Sequence, residues 1–129
     1  KLEVNPTLTL SSSDELLLRL RWLAILSRKL GANLACSGGV HTPVDVIKAV
    51  MAGAHAVQVV SCLLDRGTEY LKELRDGVAQ MLEKLEYSSI QQMRGNMSLA
   101  RCPDPGAFER ANYMRILQTW RPDQNNGGK

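Results

Sequence analysis

The feature that most restricts this chain is a pair of short uncharged runs, residues 33–37 and 56–60, joined by a segment with clear helix start and stop signals. Thr42 suits the N-cap and Pro43 the first helical position, where its missing N–H costs nothing. Val46, Ile47, Val50 and Met51 recur at helical spacing, and Gly53 ends the segment. Two uncharged strands connected by one crossover helix form a βαβ unit, whose strands pair in parallel. Parallel strands are ordinarily covered on both faces, so an α/β architecture is expected.

The flanking segments are read in the same way. Residues 4–10 alternate polar and apolar side chains after Pro6, which predicts a short strand or an extended arm. Ser12 followed by Glu15 has the spacing of a capping box, opening a helix that runs to about Leu30. Gly31 is expected to close it in the left-handed conformation. Leu18, Trp22, Ile25 and Leu26 widen the apolar face of that helix, which predicts covering on more than one side. After Gly67 a long helix is expected over 68–86, with Tyr70, Leu71, Leu74, Val78, Met81, Leu82 and Leu85 turned inward. A short helix over 88–94 should end at Gly95, followed by a loop through Cys102 and Pro103. Asp104 and Pro105 then start a last helix to about Trp120, before a polar tail expected to be disordered. In domain terms, residues 1–87 form the βα units, 88–121 a helical extension and 122–129 the tail.

Composition excludes several classes. The 129 residues carry 16 Lys plus Arg and 13 Asp plus Glu, a net charge of +3. That charge is small and evenly spread, and aromatics make up 5% of the chain, so no nucleic-acid partner is expected. The densest apolar stretch, 16–30, is broken by Arg19, Arg21, Arg28 and Lys29, so no membrane span is expected. Cys36, Cys62 and Cys102 are odd in number and lack Cys-x-x-Cys spacing, which supports neither a disulfide framework nor a metal site. A reducing cytoplasm is the expected location. The chain begins at Lys1 rather than Met, from which something upstream is expected to be removed or absent.

Chemistry concentrates in one stretch. Ser37, Gly38, Gly39, Val40, His41 and Thr42 lie between the first strand and the capped helix. Paired glycines there let backbone N–H groups approach an anion, and Ser61 ends the adjacent parallel strand on the same side. The simpler alternative is a tight turn. His41 lacks an orienting carboxylate at a recognisable spacing, so a loop hydrogen bond or solvent exposure is the expected role. His55 is expected at the surface, Cys36 and Cys62 as small buried hydrophobes, and Met93, Met97 and Met114 as packing residues.

These residues carry a resemblance. Residues 37–42, a helix ending Met51, Ala52, Gly53 and Ala54, and then Val57 to Ser61 with Leu63, Leu64 and Gly67 resemble the last part of a dihydroorotate dehydrogenase-type barrel. The stretches 87–98 and 103–114 are similar to the post-barrel segment of one bacterial branch, the dihydroorotate dehydrogenase-like proteins. The resemblance implies a partial (β/α)8 barrel, its last βα units, followed by a helical C-terminal extension. It also implies FMN as cofactor, with the phosphate held by the backbones of Gly38, Gly39, Val60 and Ser61, and Ser37 adjoining. Relatives often have glycine where Val60 stands, so that contact needs an N–H which the branched side chain leaves open.

A complete barrel of this kind takes about 200 to 250 residues. In the family the catalytic Cys or Ser base and the flavin-contacting lysine lie upstream of the matching region, so no catalytic residue is assigned to this chain. Two functions follow as expectations. The first is the C-terminal part of an FMN oxidoreductase, inactive by itself. The second is a non-enzymatic partial barrel that oligomerises and retains a phosphate-binding corner. The expected partner is accordingly a second copy or the missing N-terminal barrel portion.

Overall fold

In a computed structural model, the structure describes residues 8–104 and 106–107. Among the described residues the sheet has two strands, β1 (Ala35–Ser37) and β2 (Ala56–Gln58), paired in parallel with Ala35 opposite Ala56, Cys36 opposite Val57 and Ser37 opposite Gln58. The crossover helix α2 (Pro43–Ala52) has the expected bounds. Thr42 Oγ1 accepts the Asp45 N–H at 3.3 Å, and Asp45 Oδ2 accepts the Thr42 N–H at 2.9 Å. That reciprocal cap satisfies two backbone donors that the first turn leaves without helical partners.

Helix α1 (Leu16–Lys29) is preceded by a 3-10 turn, Ser13–Glu15, in which Glu15 Oε1 accepts the Ser12 N–H at 3.1 Å. Its end differs from expectation. Leu30 turns extended, and Gly31 is not among the positive-φ glycines, so the chain leaves α1 without a left-handed residue. Covering on more than one side is seen in part: Leu16 and Leu23 are buried toward α2 and β1, and Ile25, about half a turn round the helix, is buried as well, while Leu17, Leu18 and Trp22 are exposed.

The expected long helix is present over 70–84, and a further short helix precedes it, in place of the strand end expected at Ser61 and Cys62. Gly67, at φ +85°, separates α3 (Ser61–Arg66) from α4 (Tyr70–Lys84). α4 runs beside α2, and a Cβ on Gly77 would lie 3.1 Å from Pro43 Cβ, so Gly77 permits the close crossing. Leu74 is buried and Val78, Met81 and Leu82 pack inward, but Leu71 and Leu85 are largely exposed. One turn, α5 (Ile90–Met93), is capped by Ser89 and followed by Gly95 at φ +74°. A 3-10 turn, Leu99–Arg101, comes next, and Asp104 Oδ1 accepts the Ala107 N–H at 2.9 Å. Residues 1–7, the final helix to Trp120 and the polar tail lie outside the described residues, and Leu8–Leu10 form no strand.

Two apolar clusters hold the layers together. Leu16, Leu23, Cys36, Val40, Ala49, Ala52 and Ala54 join α1 and α2 to β1. Ile47, Val50 and Met93 form the second, with Val57, Val78, Met81, Leu82 and Tyr87 packed against it. Both include strand residues from the same side of the sheet, Cys36 and Val57. Ala35, Ser37, Ala56 and Gln58 are exposed, so the strands are covered on one face rather than two. Met97, expected in packing, is 66% exposed, and Met114 lies outside the described residues.

Candidate functional site at the strand ends

The C-terminal ends of β1 and β2 lie side by side because the strands are parallel and in register. Ser37 closes β1, and its carbonyl accepts Arg19 Nε at 2.6 Å. Arg19 also donates to the Glu15 carbonyl at 2.7 Å and to Glu15 Oε2 at 2.9 Å, so its guanidinium ties the end of β1 to the start of α1. The Ser12 N–H and the Arg19 guanidinium hold the Glu15 carboxyl below the usual carboxylate range.

Gly38 and Gly39 follow at φ +83° and +76°, a region that side chains rarely adopt. A Cβ on Gly38 would lie 2.8 Å from Arg19 Nη2, and one on Gly39 would lie 2.7 Å from the Leu16 backbone nitrogen. Packing against the α1 backbone is therefore enough to explain Gly39, while at Gly38, which meets only the movable end of Arg19, the left-handed turn is the reason for glycine. A bulky residue at 39 would clash with α1 whatever the turn binds.

The turn after β1 and the start of α3, three residues beyond β2, meet on a residue that the sequence did not single out. Ser11 Oγ accepts the Gly39 N–H at 3.0 Å and lies 2.9 Å from Ser61 Oγ. The Ser11 N–H donates to Ser61 Oγ at 3.1 Å. The Ser11 carbonyl oxygen is 2.7 Å from His41 Nε2, which donates to it. His41 thus has the loop hydrogen bond expected of it, and Tyr70 Oη donates to its carbonyl at 3.0 Å.

Of the five residues proposed for the corner, Gly39 and Ser61 converge directly, while Ser37 turns its carbonyl toward α1. Val60 is 63% exposed, and its carbonyl receives the N–H groups of Leu63 and Leu64 as α3 begins. Nothing in the local sequence marks Ser11 beyond a run of three serines. Its partners are 28 to 50 positions away.

The remaining reactive groups are quiet. Burial pushes both the Cys36 and Cys62 thiols up, opposing thiolate formation, and the three cysteines are unpaired. His55 Nδ1 accepts the Leu34 N–H at 3.2 Å at the other end of the sheet. Among the described residues no group of three or more His, Cys, Asp and Glu is arranged to hold a metal, and no helix is long and apolar enough to cross a membrane.

No protein-family model matches the chain. Individual proteins do. The dihydroorotate dehydrogenase B (NAD(+)) catalytic subunit of Pyrococcus furiosus is 30% identical over 76 residues, 59% of this chain and 25% of that protein. The protein of the same description from Thermococcus kodakarensis is 29% identical over 76 residues, again 59% and 25%. That from Methanosarcina acetivorans is 41% identical over 58 residues, 45% of this chain and 18% of the relative. These relatives are archaeal, and nothing among them shows the bacterial branch expected from the tail motifs. The matched stretch spans about a quarter of the length of the first of them. By sequence, then, the chain is similar to the dihydroorotate dehydrogenase B catalytic subunits, over a stretch amounting to a quarter or less of their length.

Proposed function

We propose that this chain carries part of the FMN phosphate site of a dihydroorotate dehydrogenase-like barrel, without the catalytic base. The single observation that supports it is the Gly39 N–H at the end of β1, which donates at 3.0 Å to an oxygen, Ser11 Oγ, that also donates to Ser61 Oγ at 2.9 Å where α3 begins beyond β2. A phosphate oxygen is the same kind of acceptor, carries charge, and accepts such bonds more strongly than a neutral hydroxyl. The donor chemistry therefore fits the phosphate, with the backbones of Gly38, Gly39, Val60 and Ser61 holding it and Ser37 adjoining. Bound FMN would supply a hydride acceptor, the part of the chemistry that amino-acid side chains lack. The residues of this chain would anchor and orient the phosphate; none is assigned to remove a proton from a substrate.

The test compares FMN with riboflavin, which lacks the phosphate, by fluorescence titration of the full chain. FMN is expected to bind at least tenfold more tightly. Ser61→Asp places a carboxylate in the corner at a helix-opening position that accepts acidic residues, and should abolish that preference. Equal affinity for the two flavins overturns the reading. Dihydroorotate should not reduce an added dye in the presence of the chain and FMN, because no base is in place.

A second reading, a non-enzymatic partial barrel that self-associates, is favoured by one observation. Exposed Leu18 and Trp22 line a groove of about 590 Å3 with Leu26 and Leu34, alongside the edge of β1 that pairs with no other strand among the described residues. A second copy meeting that groove would bury an apolar strip and a strand edge together. The two readings are compatible, since the groove and the phosphate corner use different residues apart from Ser37.

A further inference from the structure

We infer that Ser11 is an internal plug: its hydroxyl occupies the place of a phosphate oxygen, so an anion enters only when the 8–11 segment withdraws from the corner, with Ser12 staying as the cap of the helix entry. This rests on the phosphate-corner reading and adds a regulatory contact to it. Each polar backbone or side-chain atom of Ser11 engages one of the two strand-end turns. The hydroxyl oxygen takes the Gly39 N–H and pairs with Ser61 Oγ, the N–H goes to Ser61 Oγ, and the carbonyl takes His41 Nε2.

An acceptor that holds the Gly39 N–H competes with any other acceptor for that donor. One hydroxyl lone pair and one phosphate oxygen cannot both sit 3 Å from it along the same direction. The segment is suited to withdrawal. Leu8 and Leu10 are exposed, Leu8–Leu10 have no regular structure, and Ser11 itself belongs to no helix or strand. Its attachments to the corner are the hydrogen bonds just named, each of modest net strength because water replaces what is lost. A charged oxygen offers the corner a stronger acceptor than the neutral one it displaces.

The test is a titration of the full 15N-labelled chain with inorganic phosphate, followed at the Gly39 amide, for wild type, Ser11→Ala and Ser11→Thr. Without ligand, the Gly39 amide should exchange with solvent faster in Ser11→Ala than in wild type. With phosphate, Ser11→Ala should bind about fivefold more tightly, the equivalent of one net hydrogen bond removed from the competing state. Ser11→Thr keeps the hydroxyl and should match wild type. Equal affinity in wild type and Ser11→Ala overturns the plug and leaves the phosphate corner standing. Weaker binding by Ser11→Ala makes Ser11 a ligand, which also overturns the plug. Ser11→Thr binding as tightly as Ser11→Ala, or unchanged Gly39 exchange in Ser11→Ala, does the same. If phosphate shifts the Gly39 amide in none of the three proteins, the corner itself falls, and the plug falls with it.

Discussion

The two faces of the sheet differ sharply. Cys36 and Val57 point into apolar clusters supplied by α1, α2, α4 and α5, whereas Ala35, Ser37, Ala56 and Gln58 on the other face meet no covering layer among the described residues. Parallel sheets are found almost exclusively covered on both sides. The open face, however, is not an apolar one: its residues are two alanines, a serine and a glutamine. Large exposed apolar side chains lie elsewhere, among them Leu17, Leu18 and Trp22 on the outer side of α1, Val60 and Leu64 after β2, and Leu71 on α4. Lack of a second layer and a tendency to bury apolar surface are therefore separate properties of this molecule, located in different places.

The largest effect that separates the faces is on stability. Ile47, 3% exposed beneath the covered face, loses its cluster contacts on truncation, and Ile47→Ala should lower the unfolding free energy by about 3 kcal/mol. Gln58→Ala on the open face should change it by less than about 0.5 kcal/mol. Urea unfolding of both variants checks the contrast, and similar losses would mean that the open face is packed in solution.

A second, intermediate effect concerns association. If copies meet along α1 and the β1 edge, Trp22→Lys should raise the dimer dissociation constant at least tenfold, since a central tryptophan commonly dominates an interface. Ala56→Lys, on the open face, should leave it unchanged. Sedimentation equilibrium reads both; a wild-type chain that stays monomeric at all concentrations removes the association reading.

The smallest effect lies at the start of α1. The Ser12 N–H and Arg19 hold the Glu15 pKa below its unfolded value. The resulting stabilisation is fully present above the ordinary carboxylate range and is lost as pH falls through the lowered value. Glu15→Gln should flatten that acidic slope in thermal melts recorded across the acidic range. Glu15 is fully solvated, so the change is expected to be small.

How much of this was legible depended on how local the cause was. The bounds of α2 follow from Thr42, Pro43 and Gly53, all within one or two turns of the ends they define. The β1–β2 pairing follows from uncharged runs flanking that helix. Helix α3 was missed because Cys62, Leu63 and Leu64 continue an apolar run without the polar spacing of a surface helix. The left-handed role assigned to Gly31 failed because Leu30 turns extended and already redirects the chain. At the site, the glycine pair and Ser61 are visible in the sequence as strand-end residues, and the structure adds that the α1 backbone excludes a side chain at Gly39. Ser11 was invisible, because its role comes entirely from residues remote in sequence. Arg19 was read only as a charge interrupting an apolar run, yet it fastens the end of β1.

The tie between Ser11 and Ser61 joins residues 50 positions apart, while Leu34 and His55, which open the paired strands, are 21 apart. Loop-closure entropy grows with the logarithm of length, so closing the longer loop costs about 0.8 kcal/mol more. The shorter loop is closed by apolar clusters and a strand ladder, the longer one at Ser11 by a few hydrogen bonds. On entropy alone, the βαβ unit assembles first on refolding and the serine segment docks last. The same order in reverse makes that segment the first part of the described chain to open on mild destabilisation.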